Sequence, residues 1–205
     1  GAIRIINNLV LEKLATRMAD GFFVVSPLIL AAVRYWRVPE NRCNLTSIIV
    51  LGSLGRGISN EARGVPPVPS PSPYVLSVGA LTGRKRVDLL LRAFALTDED
   101  RRLVILGNGP MKDELVQLSC DLGIAQRVTW LDSVSDEDFQ TLIHHALFCA
   151  LASEREGNPA ILYEALWAGT PVIYIGGGDV DPGIGGPYFT HLKSVDPSDI
   201  AHLIE

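Results

Sequence analysis

The sequence predicts an α/β protein: a Rossmann-like parallel sheet with helices on both faces. Three observations point there. From Tyr74 to Ile175, short apolar runs alternate with helix-length amphipathic stretches, the pattern of repeated strand–helix units. The runs end in glycine-bearing turns, as at Gly79, Gly107 and Gly176. Five of the thirteen prolines crowd into residues 64–73, an extended, semi-stiff linker that separates this part from what precedes it.

The elements follow in order. Residues 3–19 carry a helical apolar pattern through Ile6, Leu9, Val10, Leu14 and Met18, stopped by Gly21. Phe22 to Ser26 is a short strand, Pro27 to Arg37 a helix ended near Pro39, and Thr46 to Leu51 a strand. This piece, residues 1–63, is too small to hold a sheet core of its own, and its apolar faces point to self-association with another copy. Beyond the linker, strands are expected at 74–78, 102–106, 128–131, 147–152 and 172–175. Helices are expected at 87–95 and 111–122, then from a Ser135 cap with Asp138 three residues on to His145. Another follows at 159–168, and Ser198 is expected to cap a last one. Residues 176–186 are too glycine-rich to be anything but loop.

Composition narrows the function. The 205 residues are 47% hydrophobic and 20% charged, enough for one good-sized core plus an accessory piece. A net charge of −5 argues against general nucleic-acid binding. Cys43, Cys120 and Cys149 are scattered, without a CxxC pair, and read as reduced thiols of a cytoplasmic protein. The longest apolar run, Phe22 to Val33, is too short to span a bilayer.

The most informative stretch runs from Ser153 to Ile173. Asn158 suits an N-cap and Pro159 the first helical position. Between Pro159 and Ala168 the only charge is Glu164, so the helix reads as apolar nearly all round and buried. A carboxylate there needs either the protein's own donors or a ligand's hydroxyls. Glu156 sits in the loop ahead of the helix, where free N–H groups and the helix dipole favour an anion. An anion site between two carboxylates suits a ligand with phosphates and several hydroxyls, such as a nucleotide sugar.

Ligands on parallel sheets bind at strand carboxyl ends, so the other turns matter too. Gly79-Ala80-Leu81-Thr82-Gly83-Arg84-Lys85-Arg86 places three cations after the first strand of the main sheet. The turn suits a pyrophosphate and reads equally well as a solvated basic turn. Leu106-Gly107-Asn108-Gly109-Pro110 lacks the third glycine of a dinucleotide fingerprint, which argues against an NAD-dependent enzyme. His144 and His145 read as the C-terminal turn of a helix, and Cys149 as inert core. Asp179 and Asp181 are too few for a hard cation, and no metal site is expected.

Glu156 and Glu164, with seven residues between them, and Ala165-Leu166-Trp167-Ala168-Gly169-Thr170-Pro171-Val172-Ile173 after them, resemble the signature of group 1 retaining glycosyltransferases of GT-B fold. The departures are Asn158 and Pro159, where the family usually has Phe and Gly. Ala19-Asp20-Gly21-Phe22-Phe23-Val24-Val25-Ser26 is similar to the end of that family's N-terminal domain. The resemblance implies that residues 1–63 are a remnant of an acceptor-binding domain. It also implies that 74–205 are the nucleotide-sugar donor domain, truncated at its C-terminus. It assigns Lys85 to the donor phosphates, with Gly79, Gly107 and Gly109 lying near the donor. Ala80 stands where the family has Arg, and Arg84 or Arg86 is the candidate replacement. The helix start, Gly157, Asn158, Pro159 and Ala160, would assist with the pyrophosphate. Glu164 would accept from ribose hydroxyls, and Glu156 would face the donor sugar as catalytic carboxylate. No cofactor beyond the nucleotide-diphosphate sugar is implied. The acceptor is an unspecified sugar, lipid or small molecule, and the full-length protein is expected in the cytoplasm or peripherally at a membrane. Two other readings stay open: an inactive nucleotide-sugar-binding module, with Glu164 paired internally, and a nucleotide-sugar epimerase of the same fold.

Overall fold

A computed structural model describes residues 22–24, 43–45, 73–156, 159–177 and 186–205. The chain divides into two compact units, residues 1–49 and 50–205. In the first, strands β1 (Phe22–Val24) and β2 (Cys43–Leu45) pair in parallel, Phe22 opposite Cys43. The strand expected at 46–51, the helices expected at 3–19 and 27–37, and residues 64–72 of the linker lie outside the described residues.

The second unit is built on a six-stranded sheet. Its strands are β3 (Tyr74–Val78), β4 (Arg102–Leu106), β5 (Val128–Leu131), β6 (Ala146–Ser153), β7 (Val172–Gly176) and β8 (Phe189–Leu192). The order is β5-β4-β3-β6-β7-β8, every pair parallel. Successive side chains of β3 turn to opposite faces. Val75 joins Leu103 and Ile105 under helices α1 (Val87–Phe94), α2 (Lys112–Asp121) and α5 (Pro197–Ile204). Leu76 joins Val104 and Tyr174 under α3 (Asp136–His145) and α4 (Ala160–Trp167). Helices therefore cover both faces, and this double burial suits the continuous apolar runs of the inner strands.

Local chemistry sets most element ends. Ser135 accepts from Asp138 N at 3.1 Å, capping α3. At its far end His145 Nδ1 lies 2.9 Å from Thr141 O. The cap of α5 is Asp196 rather than Ser198: Asp196 Oδ1 accepts from Ser198 N at 2.9 Å. Pro197 has no N–H to satisfy and a helix-compatible φ, so it takes the first helical position and moves the cap back. Pro159, with ψ 119°, is itself the N-cap of α4, which begins at Ala160. Nor is α4 buried all round. Ile161, Leu162 and Ala165 are buried, while Trp167 at its end is 64% exposed. The helix lies on one face of the sheet and leaves its outer side open. The strand β8 was not expected; it adds to the β7 edge after the glycine-rich loop, whose residues 178–185, including Asp179 and Asp181, lie outside the described residues. Among the described residues no helix is long and apolar enough to cross a membrane.

Candidate nucleotide-sugar site

The chain runs outward from β3 through β4 to β5, then returns to place β6 on the other side of β3. The connection after β3 leads to α1 on one face; the connection after β6 leads to α4 on the opposite face. Neighbouring strands whose connections part in this way open a crevice at their carboxyl ends. Here the β3–β6 ladder ends at Leu76 opposite Cys149, while β6 continues to Ser153. A shallow crevice, open to solvent, lies between them, lined by Ser77, Gly79, Ala80, Lys85 and Ser153 among others.

Two turns build its rim. In the turn after β3, Gly83–Lys85 forms one turn of 3-10 helix that carries Lys85 back over Gly79. This turn is laced to the one after β4: Gly79 N donates to Leu106 O, Leu81 N to Asn108 O, and Met111 N to Leu81 O, at 3.0, 2.9 and 3.1 Å. Gly107 and Gly109 make that lacing possible. A Cβ on Gly107 would stand 2.0 Å from Gly79 O, and one on Gly109 2.4 Å from Leu81 O. Among the described residues their evident work is to let two backbones touch.

Across the crevice, the loop after β6 brings Glu156 to Lys85. Lys85 Nζ donates to Glu156 Oε1 at 2.5 Å, Ser153 Oγ donates to the same oxygen at 2.8 Å, and Arg84 Nη1 lies 3.5 Å from it. Glu156 is only 8% exposed. Burial alone would raise its pKa. The Lys85 and Ser153 hydrogen bonds, with the positive charges of Lys85 and Arg84, outweigh burial and hold the carboxyl below its ordinary range. The two loops are also tied independently of Glu156: Arg84 Nη1 donates to Arg155 O at 2.7 Å, and Glu154 N to Arg84 O at 2.9 Å. Arg86 is differently engaged. It sits in the left-handed region at φ 45° and pairs with Asp88 in the first turn of α1, 3.2 Å away.

Glu164 stands apart from this cluster, on α4. Burial pushes its carboxyl above the usual range. Among the described residues no hydrogen bond or ion pair reaches its side chain. Burial, and after it the charge of Glu164, push the Cys149 thiol up to about 12. Of the helix-start residues, Pro159 and Ala160 are described; Gly157 and Asn158 lie outside the described residues. Ser153 as a partner of Glu156 is visible only in the fold. The sequence shows just a serine at a strand end three residues before the carboxylate.

Residues 59–204, well over half of the chain, match the family described as Glycosyl transferases group 1. The chain belongs to this family. A D-inositol 3-phosphate glycosyltransferase of Mycobacterium sp. (strain KMS) is 31% identical over 157 residues, 73% of this chain and 35% of that protein. The N-acetylgalactosamine-N,N'-diacetylbacillosaminyl-diphospho-undecaprenol 4-alpha-N-acetylgalactosaminyltransferase of Campylobacter jejuni is 37% identical over 100 residues, 49% of this chain and 27% of that one. Among solved structures, the lipopolysaccharide outer core galactosyltransferase WaaB matches with TM-score 0.65 and 25% identity over 91% of this chain and 52% of its own. Anabaena HepE in complex with UDP and glucose matches with TM-score 0.75 and 19% identity, over 97% and 56%. The chain thus spans about a third or less of the curated relatives' length and about half of these solved chains. Its sheet is the Rossmann-like α/β fold of GT-B glycosyltransferases.

Proposed function

We propose that this chain binds a nucleotide-diphosphate sugar in the β3–β6 crevice and serves transfer of the sugar to an acceptor with retention of configuration. One observation carries the reading: Lys85, Arg84 and Ser153 converge on one carboxylate oxygen at the strand carboxyl ends. Two cations at a crevice rim are what a diphosphate needs. Lys85 holds it, and Arg84 supplies the second charge, since Arg86 is turned to Asp88. Glu156 faces the sugar, where a carboxylate stabilises positive charge developing at the anomeric carbon. Glu164, half-buried and without a side-chain partner among the described residues, accepts from ribose hydroxyls. That favours a ligand role over the internally paired glutamate of an inactive module. HepE, of the same fold, is seen with UDP and with UDP-glucose, which supports a nucleotide-sugar ligand. With the cations supplied by side chains, binding is expected to survive a chelator. Self-association through residues 1–63 and a cytoplasmic or membrane-peripheral setting belong to the same proposal.

Calorimetric titration with UDP, GDP, ADP and their sugars tests it, with Lys85→Met beside the wild type. Saturable binding of one nucleotide series, weakened at least about tenfold by the substitution, is expected for loss of a charge-assisted contact. A well-folded protein that binds none of them contradicts the proposal. Transfer in addition needs an acceptor-binding surface facing the crevice.

A further inference from the structure

The cations that would hold a diphosphate are already engaged. Lys85 gives Glu156 a contact of 2.5 Å, and Arg84 stands 3.5 Å from the same oxygen. With the side chain of Glu156 only 10% exposed, neither water nor salt screens the pair well. A diphosphate entering here meets a carboxylate of its own sign, holding the partners it needs. We propose that Glu156 is an internal counter-ion that competes with the diphosphate for Lys85 and Arg84, so that re-forming the Lys85–Glu156 pair drives off the nucleoside diphosphate left after sugar transfer. This rests on the donor-binding reading above.

Two features fit an exchange rather than a permanent lock. Ser153 Oγ is a second donor to Glu156, so the carboxylate keeps one hydrogen bond when Lys85 turns to phosphate. The loops stay tied without Glu156 or the Arg84 side chain through the backbone bond from Glu154 N to Arg84 O. The partners facing Glu156 are thus Lys85 and Arg84 from the β3 turn and Ser153 from the end of β6. The alternative is that Glu156 positions Lys85 for the phosphate, and the two roles predict opposite signs. Removing a competitor tightens nucleoside diphosphate binding; removing a support weakens it.

The test titrates sugar-free UDP, GDP and ADP into wild type and Glu156→Gln by calorimetry, with stopped-flow dissociation of whichever binds. Glu156→Gln is expected to lower Kd about tenfold, mainly by slower dissociation, the size of one charge-assisted contact no longer contested. In a Lys85→Met background the same substitution is expected to change Kd little. An unchanged or weaker affinity in Glu156→Gln overturns the inference while leaving donor binding intact. Absence of binding to both proteins overturns the donor reading, and this inference with it. If Glu156→Gln does not fold, Glu156→Asp keeps the charge but draws it back by one methylene. A smaller tightening supports the exchange, and no change or a weakening overturns it.

Discussion

Glu164→Gln separates a ligand-binding carboxylate from a structural one. Glu164 is half-buried on α4 with no side-chain partner among the described residues, and burial raises its pKa. A carboxyl whose pKa rises on folding contributes stability that is fully present below its unfolded value near 4.5 and is lost as pH rises through the folded value. At neutral pH it is therefore a cost. Leaving a buried polar group unsatisfied costs about 1–3 kcal/mol; partial solvent access brings the figure here toward about 1 kcal/mol. Glutamine keeps the shape and removes the charge. Urea unfolding at pH 7 is therefore expected to show the variant as stable as wild type or about 1 kcal/mol more so. The difference should fade as pH falls towards 4.5. Glu156 has the opposite sign: its lowered pKa gives stability that is present above the unfolded value and lost as pH falls through the folded one. Yet Glu164→Gln should weaken nucleoside binding about tenfold, the loss of a charged acceptor for hydroxyls. A destabilisation of about 3–5 kcal/mol would reveal a broken buried pair and refute the reasoning. So would an unchanged Kd.

Three further outcomes follow from packing. Gly107→Ala would place a Cβ 2.0 Å from Gly79 O, backbone against backbone, and should cost about 3 kcal/mol in urea unfolding. Arg127 Nη1 donates to Asp98 O and Nη2 to Phe94 O, at 2.5 and 3.1 Å, and its guanidinium lies 4.9 Å over the Phe94 ring. Arg127→Ala should lose about 2–3 kcal/mol by the same assay, without changing nucleotide affinity. In the native protein Cys149, fully buried and with its pKa pushed to about 12, should escape alkylation at pH 8 while exposed Cys120 reacts, as read by peptide mass spectrometry.

Most of the sheet was legible because its signals are local. The strands at 74–78, 102–106 and 128–131 have the expected bounds, set by apolar runs that stop at turns. β8 was not legible: Phe189-Thr190-His191-Leu192 is short and half polar, and becomes a strand only by pairing with β7. The Asp196–Pro197 start of α5 was present in the sequence as a cap followed by proline, but Ser198 drew the assignment two residues on. The count of apolar residues in α4 overstated its burial because helix composition does not say how many sides a neighbour covers.

The site divides the same way. Lys85, Glu156 and Glu164 stand out as charges at turns or in an apolar helix. The bond between Lys85 and Glu156 spans 71 residues and exists only because β3 and β6 are neighbours. The choice between Arg84 and Arg86 likewise depends on the left-handed turn at Arg86, which directs it to Asp88.

The most direct test of a donor site between β3 and β6 is an amide-resolved NMR titration of this 22.2 kDa chain with the nucleoside diphosphate that binds. Saturable shifts concentrated at residues 79–86, 153–156 and the start of α4 are expected. Saturable shifts confined to other parts of the sheet, with these turns unmoved, would contradict it.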